Sequence, residues 1–301
     1  MGMGGKSLGL VVALLLTTGC VKSMAVNALG DALASGGGTY AQDDDPELVR
    51  DATAFGLKTI ESLLDAEPEH PGLLLAATRG FTQYGYAFLQ AEADYIEDRD
   101  YPRAKTLRVR ALKMYRRART YGLRGLALAV PDFERKLTDD RQNALSALDA
   151  EHVGLMYWTA AAWAAAVGLD KGQADLAADM GVVEALILRA RALDLDYGEG
   201  ALHDFMVAWD GGRPASAGGS VERAKKHFEN ALVASNHQRI APLVGYAETI
   251  CVKEQDAEKF ATLLNKALDF DVDSAPRHRL ANLIAQKRAR WLLNQKEDLF
   301  L

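Results

Sequence analysis

Apolar residues recur at helical spacing along most of the chain, and the recurrence is interrupted at prolines and glycines. No run of alternating β-branched residues predicts a strand. Because the breaks are short, consecutive helices are expected to lie antiparallel in an all-α fold. From residue 46 onward the pattern predicts helices at 46–66, 71–98, 102–127, 140–148, 151–169, 175–194, 199–210, 220–235, 241–252, 256–269 and 277–293.

The start of the first of these helices carries explicit signals. Three aspartates, the last of them Asp45, directly precede Pro46. The Asp45 side chain can accept hydrogen bonds from the first helical turn, and proline suits the first helical position. We therefore expect a helix to begin at Pro46, after a glycine-rich flexible break at 36–38.

Two helices carry the small–aromatic–small spacing that is typical of tetratricopeptide (TPR) repeats, and a third carries a degenerate copy. The small residues let two helices approach closely, while the aromatic ring fills the groove between them. Because the copies are irregularly spaced, we predict cryptic TPR-like hairpins in one compact bundle or solenoid. The three sets are Ala111, Tyr115 and Ala118, then Ala224, Phe228 and Ala231, and the degenerate Gly56, Ile60 and Leu63.

The first twenty residues have the layout of an export signal. Lys6 is followed by an apolar run at 8–16, then by two threonines, Gly19 and Cys20. A small residue directly before a cysteine is typical of bacterial lipoproteins, in which the cysteine is lipidated and becomes the new N-terminus. The alternative is a conventional signal peptide in which the cysteine occurs by chance.

The lipoprotein interpretation divides the chain into three regions. We expect a signal peptide at 1–19, a lipidated N-terminus with a flexible spacer and a short helix at 20–45, and a single TPR-like helical domain at 46–301. Acyl chains on Cys20 would hold the protein at a membrane, facing the periplasm. Valine after the cysteine favours the outer membrane, although the inner membrane stays open.

The segment 153–169 contains no charged residue. One interpretation is a second membrane segment, but it is too short and its many alanines are only weakly hydrophobic. We expect instead a central helix that is buried on all sides, with Trp158 and Trp163 in or beside the core.

Composition and motifs narrow the function classes. The 301 residues are 49% hydrophobic and 25% charged with a formal net charge of −6, so the chain is globular and lacks a nucleic-acid footprint. No two of the six histidines are four residues apart, and no nucleophile elbow, phosphate loop or dinucleotide fingerprint occurs. We predict a protein that is not an enzyme, has no cofactor or metal, and does not bind nucleic acid. Cys251 is expected to be a buried thiol.

The segment 80–90 is the strongest candidate for binding. At helical spacing one face is shared by four polar residues, Gln83, Gln90, Asp94 and Glu97, and Tyr86 and Ala87 lie close to it. Aromatic and amide side chains together suit a ligand cavity or a partner surface. The alternative is core packing in which the tyrosine hydroxyls reach water. A neighbouring aromatic stripe contains Phe81, Tyr84, Phe88 and Tyr95.

Acidic residues at 94–100 precede a helix rich in basic residues. One interpretation is a patch for an anionic partner. The other is a solvated face with ion pairs between helices, each worth ~0–1 kcal/mol, and we favour it. The basic residues are Arg103, Lys105, Arg108, Arg110, Lys113, Arg116, Arg117 and Arg119.

Several segments together carry a family resemblance over nearly the whole chain from Cys20. They include GFTQYGYAFLQ at 80–90, YGLRGL at 121–126 and RARWLL at 288–293. With these segments the chain resembles the TatT family, the T-component lipoproteins of tripartite ATP-independent periplasmic (TRAP) transport systems. Shorter matching segments lie at 36–38, 43–50, 70–75, 92–94, 157–158, 200–203, 251–252, 255–256 and 280–282.

The resemblance implies TPR-like helical hairpins and a periplasm-facing lipoprotein that binds the substrate-binding subunit of a TRAP transporter. It also implies an oligomer, expected to be a trimer, and help in delivering a hydrophobic or carboxylated ligand. Gly85 stands where a larger residue is expected, which would open space beside Tyr84 and Phe88. Trp158 and His203 lie in matching segments and complete the candidate ligand or partner residues, Gln83, Tyr84, Tyr86, Phe88, Gln90, Asp94, Trp158 and His203.

The export signal, the helical pattern and the family resemblance leave three candidate functions. The leading one is a component of a TRAP system that binds the substrate-binding subunit and helps deliver a small ligand. The alternative is a generic TPR-like scaffold lipoprotein for envelope protein assembly, which a groove lined by Asn, Arg and Lys would favour over an aromatic pocket. The third, an envelope hydrolase, needs a cleft with converging Asp, Glu or His.

Overall fold

The computed structural model describes residues 38–170 and 176–301, and these two ranges contain helices but no strand. The expected signal peptide, Cys20 and the short helix at 21–33 lie outside the described residues. In chain order the first seven helices are α1 (Thr39–Gln42), α2 (Pro46–Ala66), α3 (Pro71–Tyr84, continued by Gly85–Gln90 and Ala91–Ile96), α4 (Tyr101–Ala129), α5 (Phe133–Asp139), α6 (Arg141–Ser146) and α7 (Val153–Leu169). The others are α8 (Leu176–Leu193), α9 (Tyr197–Gly212), α10 (Val221–Ala234), α11 (Ala241–Tyr246, continued by Ala247–Cys251 and Val252–Glu254), α12 (Ala257–Leu268), α13 (Arg279–Asn294) and α14 (Lys296–Leu299).

The all-α prediction is confirmed, and many predicted boundaries hold because the capping residues act as expected. Asp45 Oδ1 accepts hydrogen bonds from the backbone N–H groups of Glu47 and Leu48, at 2.9 and 3.0 Å, and α2 begins at Pro46. The sequence pattern misses α1, α5 and α14, because their four, seven and four residues are too few to show a clear helical period.

Helices α3 and α11 each contain a π-helical segment, Gly85–Gln90 and Ala247–Cys251. The residues on either side keep α-helical backbone angles, so each helix continues through its π segment. A π turn holds about one residue more than an α turn, which displaces the following residues around the helix. A face predicted with the α-helical period is therefore out of register beyond these segments.

Helix α7 forms the centre of the core. It packs against α3, α4, α8 and α9, and Met156 and Ala160 are fully buried. Trp163 is also buried, whereas Trp158 is half-buried. These contacts confirm the central helix expected at 153–169. Within the described ranges, no helix is long and apolar enough to cross a membrane.

The two ends of the described chain meet. Helices α1 and α2 contact α13, and the backbone carbonyl of Gln42 accepts a hydrogen bond from Arg279 Nη1 at 2.9 Å. The C-terminal helices have their own apolar cluster around Tyr246, Phe260 and Leu264. A space remains between this cluster and the layer formed by α2 and α3.

Six of the nine TPR-like residues are buried, whereas Gly56, Leu63 and Phe228 are half-buried, and the repeat assignment itself stays a prediction. Ala111, Tyr115 and Ala118 are fully buried on α4. On α10, Ala224 and Ala231 are fully buried in the same way. These positions agree with the role of small residues in allowing helices to approach.

Three helices meet very closely at Gly122 of α4. A Cβ atom at this position would lie 2.0 Å from Oγ1 of Thr159 on α7 and 3.1 Å from Cγ2 of Thr78 on α3. Both threonines are fully buried, so neither side chain can move aside without disturbing the core. Only glycine allows this three-helix contact.

Replacing Gly122 with alanine should lower the free energy of unfolding by about 2 kcal/mol, because the added methyl group forces α4 away from α7. Urea unfolding followed by circular dichroism measures the change. The matched control is Gly168→Ala on α7, where no atom of the described residues lies within 4 Å of the added Cβ. That variant should be as stable as the parent or slightly more so, since alanine favours helix. Equal stability of the two variants would contradict the close contact.

Candidate functional site

A cavity of about 500 Å³ lies between α2, α3, α11 and α13, and α1 borders it with Tyr40 and Ala41. This volume is within the roughly 300–1,000 Å³ range of small-molecule sites. Most of the lining is aliphatic or aromatic, with a few polar and charged side chains. From α2 the wall receives Val49, Thr53, Gly56, Leu57 and Ile60.

Helix α3 supplies four of the predicted candidate residues to the cavity: Gln83, Tyr84, Tyr86 and Phe88. The rings of Tyr84 and Phe88 contact each other, with their centroids 5.7 Å apart. The structure therefore brings these four side chains together, as the pattern in segment 80–90 indicates. Their role in binding stays a prediction.

Gln90 lies on another side of α3. Its Oε1 accepts a hydrogen bond from the Tyr115 hydroxyl of α4 at 2.7 Å. Beyond the π segment, the cavity face of α3 continues through Ala91 and Tyr95 rather than through Gln90 and Asp94. The additional residue in the π turn explains this shift, because the face was derived from an α-helical period.

Tyr86 presents its accessible surface to the cavity. Of this side chain 48% is accessible, yet protein surrounds it, and burial raises the pKa of its hydroxyl to about 12. Among the described residues, none hydrogen-bonds to the Tyr86 hydroxyl or to the Gln83 side-chain amide. These two neutral groups can therefore bond to polar atoms of a ligand.

Helices α11 and α13 form the opposite wall. At Gly245 the wall leaves open space, because no atom lies within 4 Å of the position that a Cβ would occupy. The tripeptide Gly-Tyr-Ala occurs at 85–87 and again at 245–247, next to both π segments. This recurrence is the sequence signal that could have identified the second wall. The wall residues are Ala241, Val244, Gly245, Glu248, Leu280, Ala281, Ile284, Ala285 and Arg288.

Five charged side chains form a chain of ion pairs beside the cavity, here named the Asp94 ion-pair chain: Glu97, Arg108, Asp94, Arg288 and Glu248. Arg108 Nη2 lies 3.0 Å from Asp94 Oδ1, and Arg288 Nη1 lies 2.9 Å from Asp94 Oδ2. Arg288 also pairs with Glu248 of α11. Although burial opposes its charge, hydrogen bonding to Glu248 raises the pKa of Arg288. The chain links α3, α4, α11 and α13, and Asp94 therefore has a clear structural contact outside the cavity lining.

Gly85 has a different role from the expected one. A Cβ here would lie 2.9 Å from Cε1 of Tyr115 and 3.3 Å from Cβ of Met114. The glycine therefore allows α3 to pack closely on α4. It does not widen the space beside Tyr84 and Phe88.

Trp158 and His203 lie outside the cavity lining. Trp158 packs edge-on against Tyr157, with ring centroids 4.9 Å apart. His203 of α9 and His227 of α10 are both buried, and their Nδ1 atoms are 2.8 Å apart. One Nδ1–H must donate to the other Nδ1, so at least one ring in this contact is neutral. The geometry gives His203 a structural role between α9 and α10.

In the described part of the chain, no group of three or more His, Cys, Asp or Glu could hold a metal ion. Cys251 is buried on the π segment of α11, as predicted, and burial raises the pKa of its thiol to about 11. A thiol with such a pKa is protonated, and therefore unreactive, at neutral pH.

The fold and the cavity define an all-α protein with an internal space suited to binding. The family model of the TRAP transporter T-component matches residues 42–300, and the chain belongs to that family. It is therefore a component associated with a TRAP transport system and with the cell envelope, in a family of transporter components rather than enzymes. The resemblance found in the sequence is confirmed.

A relative in Treponema pallidum (strain Nichols), named as an uncharacterized protein, is 31% identical to this chain over 268 residues. The match covers 87% of this chain and 82% of the relative. The similarity thus extends over nearly the full length of both proteins.

The His203–His227 contact should make stability depend on pH. Burial lowers the pKa of His203 and lowers that of His227 to about 4, whereas histidine in an unfolded chain titrates near about 6.5. As the pH falls, the unfolded state binds protons first, so stability is full above about pH 6.5 and decreases towards pH 4. In His227→Gln this loss should be smaller by about 2 kcal/mol, because only the unfolded parent gains that proton.

Urea unfolding between pH 7.5 and pH 4 measures this difference. Asp204 acts in the opposite sense, because burial raises its pKa to about 6, but it is present in every variant. The control His237→Gln changes an exposed histidine and should keep the parent's pH dependence. A parental pH dependence in His227→Gln would show that the buried pair does not resist protonation.

Proposed function

We propose that this chain is a lipid-anchored, periplasm-facing protein that binds the substrate-binding subunit of its TRAP transporter and helps deliver a small ligand to it. The observation that carries the proposal is the cavity between the two π-helical segments. Its walls come from the first and last parts of the helical body, and its lining supplies apolar surface with a few polar groups. That combination is typical of sites for small organic ligands.

The lining also indicates what such a ligand would need. The rings of Tyr84 and Phe88 would contact its apolar part, and the Tyr86 hydroxyl and the Gln83 amide would bond to polar atoms. The wall contains three arginines, Arg79, Arg277 and Arg288, and one carboxylate, Glu248, which is paired with Arg288. The excess of positive charge suits a carboxylate on an otherwise hydrophobic ligand.

The alternative function is a generic TPR-like scaffold for envelope protein assembly. A scaffold of that kind would hold an extended peptide in a groove lined by Asn, Arg and Lys. The cavity instead lies between four helices, and Tyr40, Tyr84, Tyr86, Phe88 and Tyr95 contribute aromatic rings to its wall. At this cavity the lining favours binding of a small ligand over holding of an extended peptide.

Filling the cavity should abolish ligand binding without unfolding the protein. Gly245→Phe places a ring in the open space at the α11 wall, and phenylalanine is a better helix former than glycine. Binding of cis-parinaric acid, a fluorescent fatty acid, should weaken at least about tenfold, because the ring takes up volume that the probe needs. The matched control Gly168→Phe puts the same ring at an open position on α7, outside the cavity, and should bind like the parent. Parental affinity in Gly245→Phe would exclude the cavity as the ligand site.

The parent and the same two variants also test binding to the substrate-binding subunit. Each is co-expressed with the substrate-binding subunit of its transport system and purified through a tag on that subunit. Parent and both variants should be retained, whereas transfer of the bound probe should fail only for Gly245→Phe. Absence of a complex with the parent would contradict the proposed association, whatever the outcome for the ligand.

The proposal also includes the anchor at Cys20, a TPR-like domain at 46–301, and assembly as an oligomer, expected to be a trimer. Cys20→Ser removes the atom that would carry the lipid and should release the protein from membranes in detergent-free fractionation. Cys251→Ser is the control, since this buried thiol has no part in anchoring. Retention of Cys20→Ser in the membrane fraction would require a different anchor.

A further inference from the structure

Helix α4 concentrates positive charge in a protein that is acidic as a whole. Its 29 residues contain nine Lys or Arg and no Asp or Glu, whereas the whole chain carries a formal net charge of −6. A helix that served only as a solvated face would normally mix both signs, because pairs of opposite charge along the helix add stability. The absence of acidic residues on α4 therefore indicates that this helix is more than a solvated face.

Five of these nine basic side chains bind other parts of the same chain. Four arginines pair with carboxylates of neighbouring elements, and Arg124 Nη2 donates to the backbone carbonyl of Pro68 at 2.9 Å. These contacts join α4 to its neighbours and confirm the inter-helix ion pairs expected from the sequence. The four paired arginines are Arg108, Arg116, Arg117 and Arg119.

The other four basic residues, Arg103, Lys105, Arg110 and Lys113, are exposed, and none has a described carboxylate within 4 Å. Lys105 and Lys113 lie one turn before and one turn after Val109, an apolar side chain that is 49% exposed, whereas Arg103 and Arg110 lie roughly 100–120° further around α4. At these four unpaired cations a partner's carboxylates would meet little competition from this chain.

This face continues into a groove between α4 and α5. The groove has a volume of about 960 Å³ and is lined by four arginines, by the carboxylates of two acidic residues, and by Thr120 and Ala127. The charged residues are Arg116, Arg119, Arg124, Arg135, Asp132 and Glu134. At 3.6 residues per turn, Lys105 and Lys113 lie in line with Arg116 and Arg124. The basic face and the groove thus follow the helix axis for about 30 Å.

The charges in the groove can exchange partners. Arg119 pairs with Glu134 at 3.1 Å and Arg135 pairs with Asp132 at 3.3 Å, with both carboxylates well exposed. Exposed ion pairs of this kind contribute only ~0–1 kcal/mol. A second chain carrying several carboxylates can therefore replace them at little cost.

We propose that the outer face of α4 and the α4–α5 groove form a docking surface for an acidic segment of a protein partner. Complementary charge would steer and orient the segment, and Ala127 and the methylene stems of the groove arginines would contact its uncharged side chains. A bilayer surface fits less well, because it is flat and cannot enter the groove. The surface shares no residue with the cavity lining, so the inference does not depend on the proposed ligand.

The test uses the full chain in mild detergent and a fluorescein-labelled 16-residue peptide of alternating Glu and Ala as the probe. The α4 variant carries Arg103→Glu, Lys105→Glu, Arg110→Glu and Lys113→Glu. The control carries Lys225→Glu, Lys226→Glu, Lys266→Glu and Arg290→Glu, which are also exposed and cause the same change in net charge. Fluorescence anisotropy should show peptide affinity at least about tenfold weaker for the α4 variant, near-parental affinity for the control, and weaker parental binding as salt is added.

Circular dichroism melting curves check that both variants fold, as the exposure of all eight positions implies. The proposal is overturned if the parent does not bind the peptide up to millimolar concentration, or if both variants lose affinity equally. It is also overturned if the parent prefers phosphatidylglycerol over phosphatidylcholine vesicles through α4 but ignores the peptide, which would indicate a membrane surface. Loss of self-association in the α4 variant, without peptide binding by the parent, would identify a second copy as the occupant.

Discussion

The described fold depends on holding the first and last parts of the helical body against each other around a space that the core does not fill. Apolar packing alone would tend to close such a space, since protein interiors pack to high density. Arg288 opposes this by binding Asp94 on α3 and Glu248 on α11, and these bonds have a defined length and direction. Because Asp94 also binds Arg108, the wall of the cavity is linked to α4 and through it to the central helix α7. Ion pairs and helix packing therefore hold both walls of the cavity in place.

Local signals explain why so much of the fold could be predicted from the sequence. Caps such as Asp45, breaks at proline, and the uncharged segment 153–169 act over a few residues and can be identified without knowing the tertiary structure. The π segments give no such local signal, because they depend on packing between helices, as Gly85 shows against Tyr115. For that reason the pattern correctly placed Gln83 and its aromatic neighbours on one wall but misplaced Gln90.

The rest of the candidate site was missed for a different reason. The opposite wall comes from α11 and α13, about 150 positions further along the chain, and no local period connects them to α3. The recurring Gly-Tyr-Ala tripeptide is the one signal that points from one wall to the other. His203 likewise meets His227 only because α9 and α10 pack together. Family membership indicates a role in transport. The structure adds a distinction between two regions, the cavity and the basic face of α4. The hairpin of α3 and α4 borders the cavity with one helix and presents the basic face with the other.

The position of α1 connects the cavity mechanically to the residues that precede the helical body. Tyr40 and Ala41 line the cavity, and Gln42 is held by Arg279 of α13, so the part of the chain that leads into the body is also part of the wall. A force on the preceding residues would act first on α1. By thermodynamic linkage, a molecule that contacts Tyr40 makes α1 harder to pull away, and tension on α1 weakens the hold on that molecule by the same factor. For a protein anchored at Cys20 as proposed, the distance between the helical body and the membrane would then control how tightly the cavity holds a ligand.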